Sequence, residues 1–458
     1  MVVLRWAVGG AAILGVWATA ALPQPTQVAA KQPPASTQPP PTVDHHMHIV
    51  SPAAAQLMTP PQLSRIALPA DLEAVLERRG SAPSADLFLL EGHVLDVRGS
   101  FWIKGNRAIA TYLAGAQPGA RFVPTGYSGT GNAAAVTGII ERGEGKAARP
   151  VRNFHLSLVR DEGRWRIAAE SWSERAPPTA QATSAATLIR ELDEAGVRTG
   201  VVHALGYFQA SPMLPRPYPD EAARISAEND WVLEQVSHFP GRLIAFCGVN
   251  PLREHAIAEL RRCRRLPGVA GMKLHFANSN VNLRNPDHVQ RLRMFFRAAN
   301  EARMPLAAHL WSGPDYGAEH VRVFLREIMP VAPDVSVQIM HLSGGGGAYG
   351  PDASLAEFAA AVERRDPASR NLYFDVAAVV SGNEPPAILN LIAARIRSIG
   401  VERILFGTDR DGIQAPPPAP AWAAFMRLPL RPEEFRAIAA NVAPYITRRP
   451  PESSSRAD

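Results

Sequence analysis

The sequence predicts a (β/α)8 TIM barrel with an α+β domain inserted after its first strand, and three observations predict it. From residue 179 onward, short apolar runs alternate with segments of helical spacing. One further strand-like stretch, Thr42 to Val50, stands far ahead of that rhythm. Between the two, residues 52–178 break the alternation and read as helices followed by antiparallel strands. Buried strands that are each followed by a helix pair in parallel, and eight such units close into a barrel.

In chain order, residues 1–22 have the form of an export signal. Arg5 is its charged start, Trp6 to Leu22 its apolar run, and Ala18-Thr19-Ala20 a small-x-small cleavage site. This implies an exported, periplasmic or extracellular protein, with an uncleaved N-terminal membrane anchor as the alternative. Residues 23–41 are rich in Pro, Gln, Thr and Ala and form an extended linker. Residues 42–51 hold the first barrel strand, Thr42-Val43-Asp44-His45-His46-Met47-His48-Ile49-Val50. Alternation places Asp44, His46 and His48 on one face and His45 on the other. Two imidazoles about 7 Å apart along a strand can converge on one cation.

The insert opens with helices expected at Leu72–Arg79 and Ala85–Leu90. Strands follow at Gly92–Val97 and Ser100–Ile103, and a helix at Asn106–Leu113. Strands are then expected at Arg121–Tyr127, Ala133–Glu141 and Arg152–Arg160, the last in a hairpin that turns at Asp161-Glu162-Gly163. "FWIKGNRAIATYL" from Phe101 and "NFHLSLVRDEGRWRIAAESW" from Asn153 resemble the ketosteroid-isomerase-like (SnoaL-like, nuclear-transport-factor-2-like) cone fold. No acid or base of that family can be placed here, and His93 and His155 are read as structural. Because loops after barrel strands lie at the catalytic face, the insert is expected beside the mouth, gating it or pairing two copies.

Residues 179–448 supply the rest of the barrel. Strands are expected at Thr199–Ala204, Arg242–Val249, Val269–Leu274, Pro305–Leu310, Asp334–His341, Leu372–Ala377 and Arg403–Asp409. The helices between them carry faces such as Leu188, Leu192 and Ala195, or Val289, Leu292, Phe296 and Ala299. Residues 449–458 read as a disordered tail. The net charge of +6 is spread along the chain without a basic run, so no nucleic-acid partner is implied. Cys247 falls in a strand pattern and Cys263 in a helix pattern, and both are read as buried thiols.

The chemistry lies at the strand ends. The first strand ends in His46 and His48, the fourth in Lys273 and His275, the fifth in His309, the sixth in His341 and the eighth in Asp409. Polar residues closing apolar strands of one barrel point to one mouth, and neutral imidazoles with a carboxylate suit Zn²⁺, with Mn²⁺ or Fe²⁺ as alternatives. His203, His238, His255, His288 and His320 are read as surface or packing residues. The glycines of Ser343-Gly344-Gly345-Gly346-Gly347 lack the context of a phosphate cradle and read as a mouth loop.

This ordered set resembles the amidohydrolase superfamily, in the amidohydrolase-related branch that includes aminocarboxymuconate-semialdehyde decarboxylase. The resemblance covers residues 42–50 and about 180–446. It implies a metal held by His46, His48, His309 and Asp409, with His341 in acid–base or substrate-polarising work and Asp409 also taking the proton of the attacking water. It favours one ion. The two-ion alternative carbamylates Lys273 and adds His341 to the ligands. With one ion, Lys273 pairs with a substrate carboxylate or an inner-shell acid, and His275 is a substrate contact. The expected activity is hydrolysis of an amide, lactone or related C–N or C–O bond in a small molecule. A non-oxidative decarboxylase is the second expectation, and a barrel kept only for binding the third.

Overall fold

The computed structural model describes residues 38–447 apart from 60–63, 97–100, 115–118, 144–147, 175–180, 215–216, 348, 383 and 412–414. The expected export signal, most of the linker and the C-terminal tail lie outside the described residues. The chain divides into two compact units. Among the described residues, one contains residues 38–58 and 181–447, the other residues 59–174.

In chain order the strands are β1 (Val43–Met47), β2 (Phe88–Asp96), β3 (Phe101–Lys104), β4 (Ala120–Gly129), β5 (Ala133–Arg142), β6 (Arg149–Asp161), β7 (Arg164–Glu174), β8 (Thr199–His203), β9 (Leu243–Gly248), β10 (Val269–His275), β11 (Leu306–His309), β12 (Val337–Ile339), β13 (Leu372–Asp375) and β14 (Ile404–Leu405). The larger unit is a sheet of order β1-β8-β9-β10-β11-β12-β13-β14, parallel throughout. Its two edges meet. His45 N–H donates to Phe406 O at 2.8 Å, Asp409 N–H to His46 O at 2.7 Å, and Met47 bridges Arg410 in parallel. The sheet is therefore a closed eight-stranded barrel, and closure leaves no strand edge unpaired.

The strands are shorter than the apolar runs suggest, above all β12 and β14. His48, His341 and Asp409 lie just past the hydrogen-bonded part of their strands, whereas His46, Lys273, His275 and His309 lie within it. Inside the barrel, Val43, Val201, Phe246, Ala307, Met340 and Leu405 form one apolar cluster with Ala443 and Tyr445 of the C-terminal segment. Outside it, the helices Pro286–Glu301, Asp352–Glu363 and Pro386–Ile399 bury faces such as Leu292, Phe295 and Phe296, or Leu389, Ile392 and Ile396, against the strands.

Two local expectations are corrected. Cys247 on β9 and Cys263 on the helix Ala256–Arg265 are both buried, but they form a disulfide. That helix packs directly on its strand and brings the two Cα atoms to 6.6 Å, within bridging range. The segment Ala85–Leu90, expected as a helix, is a single tight turn at Ala85–Leu87 that runs straight into β2. Phe88 pairs with Ile167 of β7, and tertiary pairing overrides the local propensity.

The smaller unit is a six-stranded sheet of order β3-β2-β7-β6-β5-β4, with only the β2–β7 pair parallel. The helices Ala70–Ser81 and Asn106–Ala114 bury Leu72, Leu76, Ile109 and Leu113 in its core beside Val136, Leu156 and Ile167. One charged pair sits in that core. Arg79 Nε and Nη2 donate to the two oxygens of Glu170 at 2.7 and 2.6 Å, and the bidentate geometry satisfies a carboxylate that is otherwise cut off from water. Among the described residues, no helix is long and apolar enough to cross a membrane.

Candidate metal centre

The site begins with β1. The strand is bulged between Asp44 and Met47, so simple alternation fails there. Asp44 does not join its histidine neighbours. It accepts from Thr408 Oγ1 at 2.7 Å and from the backbone N–H groups of Thr408 and His46, both at 3.1 Å, and so ties β1 to the end of β14. Burial pushes its carboxyl up to about 7 despite those bonds. His45 is turned away from the mouth. Its Nδ1–H donates to Phe406 O at 3.0 Å and its Nε2 accepts from Ala443 N–H at 3.2 Å. Burial lowers it to about 4, so the ring is neutral. Gly407 is required beside it, because a Cβ there would come within 2.8 Å of His46 Cβ.

His46, His48 and Asp409 converge. Their facing atoms are His46 Nε2 and His48 Nε2, 3.2 Å apart, and Asp409 Oδ1, 3.1 Å from the first and 3.3 Å from the second. Both rings are fully enclosed, while the Asp409 side chain is 31% exposed and opens to the mouth. His341 stands behind them, its Nε2 4.0 Å from Asp409 Oδ2.

The outward bonds of the rings fix their protons. His48 Nδ1 is 2.7 Å from His203 O, and His341 Nδ1 is 2.7 Å from Ala377 O. A carbonyl only accepts, so each Nδ1 carries the hydrogen and each Nε2 a lone pair. His46 Nδ1 faces Asp375 Oδ2 at 3.2 Å, off the line of an ideal hydrogen bond. A carboxylate there also calls for the hydrogen on Nδ1. Three acceptors, two nitrogens and an oxygen, thus point at one another with no hydrogen among them. A proton would satisfy one pair; a cation satisfies all three. The donor set therefore fits a divalent metal ion, and the partners behind His46 and His48 are of the kind that orient metal-bound imidazoles.

The charges agree. Burial and Lys273 oppose a charge on His46, but Asp375 and Asp409 outweigh them and raise its pKa. Burial likewise opposes ionisation of Asp409, yet His46 and His48 hold it well below the usual carboxylate range. Asp375 is lowered to about 2, its burial overcome by His46, His341 and the His341 N–H. Desolvation lowers His48 and His341 and pushes His309 and His275 well down, leaving neutral rings.

His309 lies outside the tight group. Its ring is 5.1 Å from that of His341 and 4.0 Å from that of His275. Its Nδ1 is 3.2 Å from His275 Nδ1, and Asn278 contacts both nitrogens of His275, through its backbone N–H at 3.3 Å and its Nδ2 at 3.1 Å. Tyr207 covers His275, ring to ring at 5.0 Å. Lys273 lies within electrostatic reach of the site histidines and of Asp409 and Asp375. It is buried inside the barrel with Nζ against Met340 Sδ, and desolvation lowers it to about 8. Arg410, just past β14, is occupied by a two-pronged pair with Glu191.

Backbone strain gathers here. His341, Leu342 and Ser343 run consecutively in the left-handed region, with φ of 53°, 48° and 67°, and Asp409 has φ of 61°. Each such residue costs of order 1–3 kcal/mol and persists only where its surroundings over-determine it. Asp375 Oδ1 holds the His341 N–H at 2.9 Å, and Tyr316 Oη bonds Ser343 Oγ at 2.8 Å.

Two residues that matter to the site were not singled out by the sequence reading. Asp375 ends β13 and His203 ends β8, so the rule that picked the other strand ends applies equally to them. His203, read as packing, is buried against the His46 ring at 5.2 Å and presents its carbonyl to His48.

The amidohydrolase family model matches residues 215–443, half of the chain. Among solved structures, the 5-carboxyvanillate decarboxylase of Sphingomonas paucimobilis is similar at 16% identity, over 55% of this chain and 79% of that one, with a TM-score of 0.40. A zinc-bound amidohydrolase of Burkholderia multivorans is similar at 14% identity, over 57% and 86%, with a TM-score of 0.40. An NTF2-like protein of cystatin-like fold from Novosphingobium aromaticivorans is similar at 17% identity, over 23% and 79%, with a TM-score of 0.19. No curated protein sequence matches the chain.

Proposed function

The chain belongs to the amidohydrolase family, and on that premise we propose that it is a metal-dependent hydrolase. It would cleave an amide, lactone or related C–N or C–O bond of a small, carboxylate-bearing molecule. The observation that carries this reading is the convergence of His46, His48 and Asp409 as acceptors around one point, with the second oxygen of Asp409 turned to His341. His46, His48 and Asp409 would hold one divalent ion, with His309 Nε2 as the fourth ligand. When bound, the ion supplies Lewis acidity to the scissile carbonyl and lowers the pKa of water.

The protein's own groups do the rest. Asp409 Oδ2 accepts the proton of the attacking water. His341, its Nε2 on the same side, passes a proton toward the leaving group. The carbonyls of His203 and Ala377 hold His48 and His341 in the required tautomers. Lys273, buried within electrostatic reach of Asp409, adds positive potential for a substrate carboxylate, and His275 with Tyr207 forms an aromatic wall. The Cys247–Cys263 disulfide supports an oxidising, exported location for this work.

Decarboxylation is the second reading, and enclosure of the site favours it. His309, His341 and Tyr207 are all buried, and loss of CO2 is eased where a carboxylate loses its water. In that case Asp409 first takes up a proton from solvent and then delivers it to the carbon that CO2 leaves. Turnover of lactone, amide and aromatic-acid panels in H₂¹⁸O separates the readings. Hydrolysis places one ¹⁸O in the product acid and releases no CO2. Decarboxylation releases labelled CO2 from a carboxyl-¹³C substrate and leaves no ¹⁸O in the remaining product. A metal-loaded protein that turns over neither panel would overturn both and leave a barrel used for binding.

A further inference from the structure

We propose that Gln338 and Tyr445 are positioning residues for the metal centre, acting on His46 through Asp375, so that the C-terminal segment sets the metal affinity. The inference rests on the reading of His46 as a ligand. After the helix Pro432–Ala440, the chain crosses the end of the barrel where the strands begin. Thr42 N–H donates to Ala439 O at 2.7 Å, and Asn441 Nδ2 donates to Val401 O and Ile404 O at 2.7 and 2.6 Å. The following residues enter the barrel, where Ala443 and Tyr445 join the interior cluster.

Through that cluster runs a single polar string. Tyr445 Oη donates to Gln338 Oε1 at 2.5 Å. Gln338 Nε2 donates to Asp375 Oδ2 at 2.7 Å and to His45 O at 3.2 Å. Asp375 Oδ2 in turn faces His46 Nδ1 at 3.2 Å. The string reads in only one sense. A carboxylate and a carbonyl both accept, so the Gln338 amino group must point at them, its oxygen must face Tyr445, and the phenol must donate. Asp375 is pinned on its other side by the N–H groups of His341 and Ala377, at 2.9 and 3.2 Å. Every member is buried.

A tyrosine hydroxyl and a glutamine amide are poor choices for plugging an apolar barrel, where two apolar side chains would fill the volume without needing partners. Their use is explained by what they fix. Gln338 takes up one lone pair of Asp375 Oδ2 and holds that oxygen 3.2 Å from His46 Nδ1. That keeps the hydrogen on Nδ1 and the lone pair of Nε2 toward the ion. Partners behind metal-bound histidines change affinity by about 10–100-fold when removed. Gln338 and Tyr445 stand one and two bonds further back.

The test is a double-mutant cycle read by Co²⁺ titration of the full chain, following visible absorbance of the bound ion. Gln338→Met keeps the volume and removes the bond to Asp375. It is expected to weaken Co²⁺ binding about ten-fold and to perturb the spectrum, and Tyr445→Phe about three-fold, at the low end of outer-partner effects. In the Asp375→Asn background, Gln338→Met should add less than about two-fold, because the link it acts through is already cut. Unchanged affinity in both Gln338→Met and Tyr445→Phe would overturn the inference. So would an equal loss from Gln338→Met in both backgrounds, which marks a purely structural role. If Gln338→Met does not fold, Tyr445→Phe combined with Asp375→Asn completes the same cycle. Wild-type protein that binds no Co²⁺ would instead overturn the metal reading itself.

Discussion

His46→Ala is expected to abolish divalent-metal binding and, with it, all turnover. The residue is the hub of the centre. Its Nε2 lies 3.2 Å from His48 Nε2 and 3.1 Å from Asp409 Oδ1, while its Nδ1 meets Asp375. Four-ligand zinc sites bind with about 10–16 kcal/mol, so one ligand is worth about 3 kcal/mol, or more than about 100-fold in affinity. The cost here is larger, because Asp375 also loses its partner while fully buried. Isothermal titration with Zn²⁺ checks this: the heat seen with wild type should vanish. The fold should survive, since the barrel is closed by backbone bonds at β1 and β14 that the substitution leaves in place. A variant that still bound Zn²⁺ at wild-type affinity would remove His46 from the ligand set.

His341→Ala is expected to do the opposite, keeping the ion and losing the reaction. His341 Nε2 is 4.0 Å from Asp409 Oδ2, whereas the facing atoms of His46, His48 and Asp409 lie within 3.3 Å of one another. Its proposed work is proton transfer, which contributes typically about 10²–10⁴-fold to turnover. Zinc content per chain should equal that of wild type while kcat falls within that range. Loss of zinc together with activity would make His341 a ligand and favour a two-ion centre, in which its approach to His46 and Asp375 takes on a different meaning.

Much of the barrel is legible because its physics is repetitive. Each buried strand is an apolar run and each helix a striped segment, and the polar residues that interrupt this pattern do so at strand ends. His46, His48, His309, His341 and Asp409 stand out for that reason. What is not legible depends on contacts between distant parts of the chain. The bulge in β1 turns Asp44 to Thr408 and away from its histidine neighbours, and nothing within Thr42–Val50 announces a bulge. The left-handed run at His341–Ser343 is stabilised by Asp375 and Tyr316, which are remote in sequence. Tyr445 lies beyond Glu433–Ala440, in a stretch with no periodicity, yet it forms part of a short helix and ends inside the barrel. Cys247 and Cys263 fit the pattern of buried thiols equally well, and only the packing of helix on strand makes them a pair.

Asp375 and His203 are a different kind of omission. Both close strands, and the rule that selected their neighbours would have selected them. They differ in acting behind the ligands, through a carboxylate oxygen on His46 and a carbonyl on His48, where their side-chain chemistry does not advertise a role.

On the proposed reading, His46, His48 and Asp409 hold one divalent ion and Lys273 stays outside the ligand set. Elemental analysis of metal per chain, on full-length protein purified without chelators and then supplied with Zn²⁺, tests it most directly. The account predicts about one equivalent, lost in His46→Ala. Two equivalents would place Lys273 among the ligands and contradict the single-ion centre. None would contradict the centre altogether.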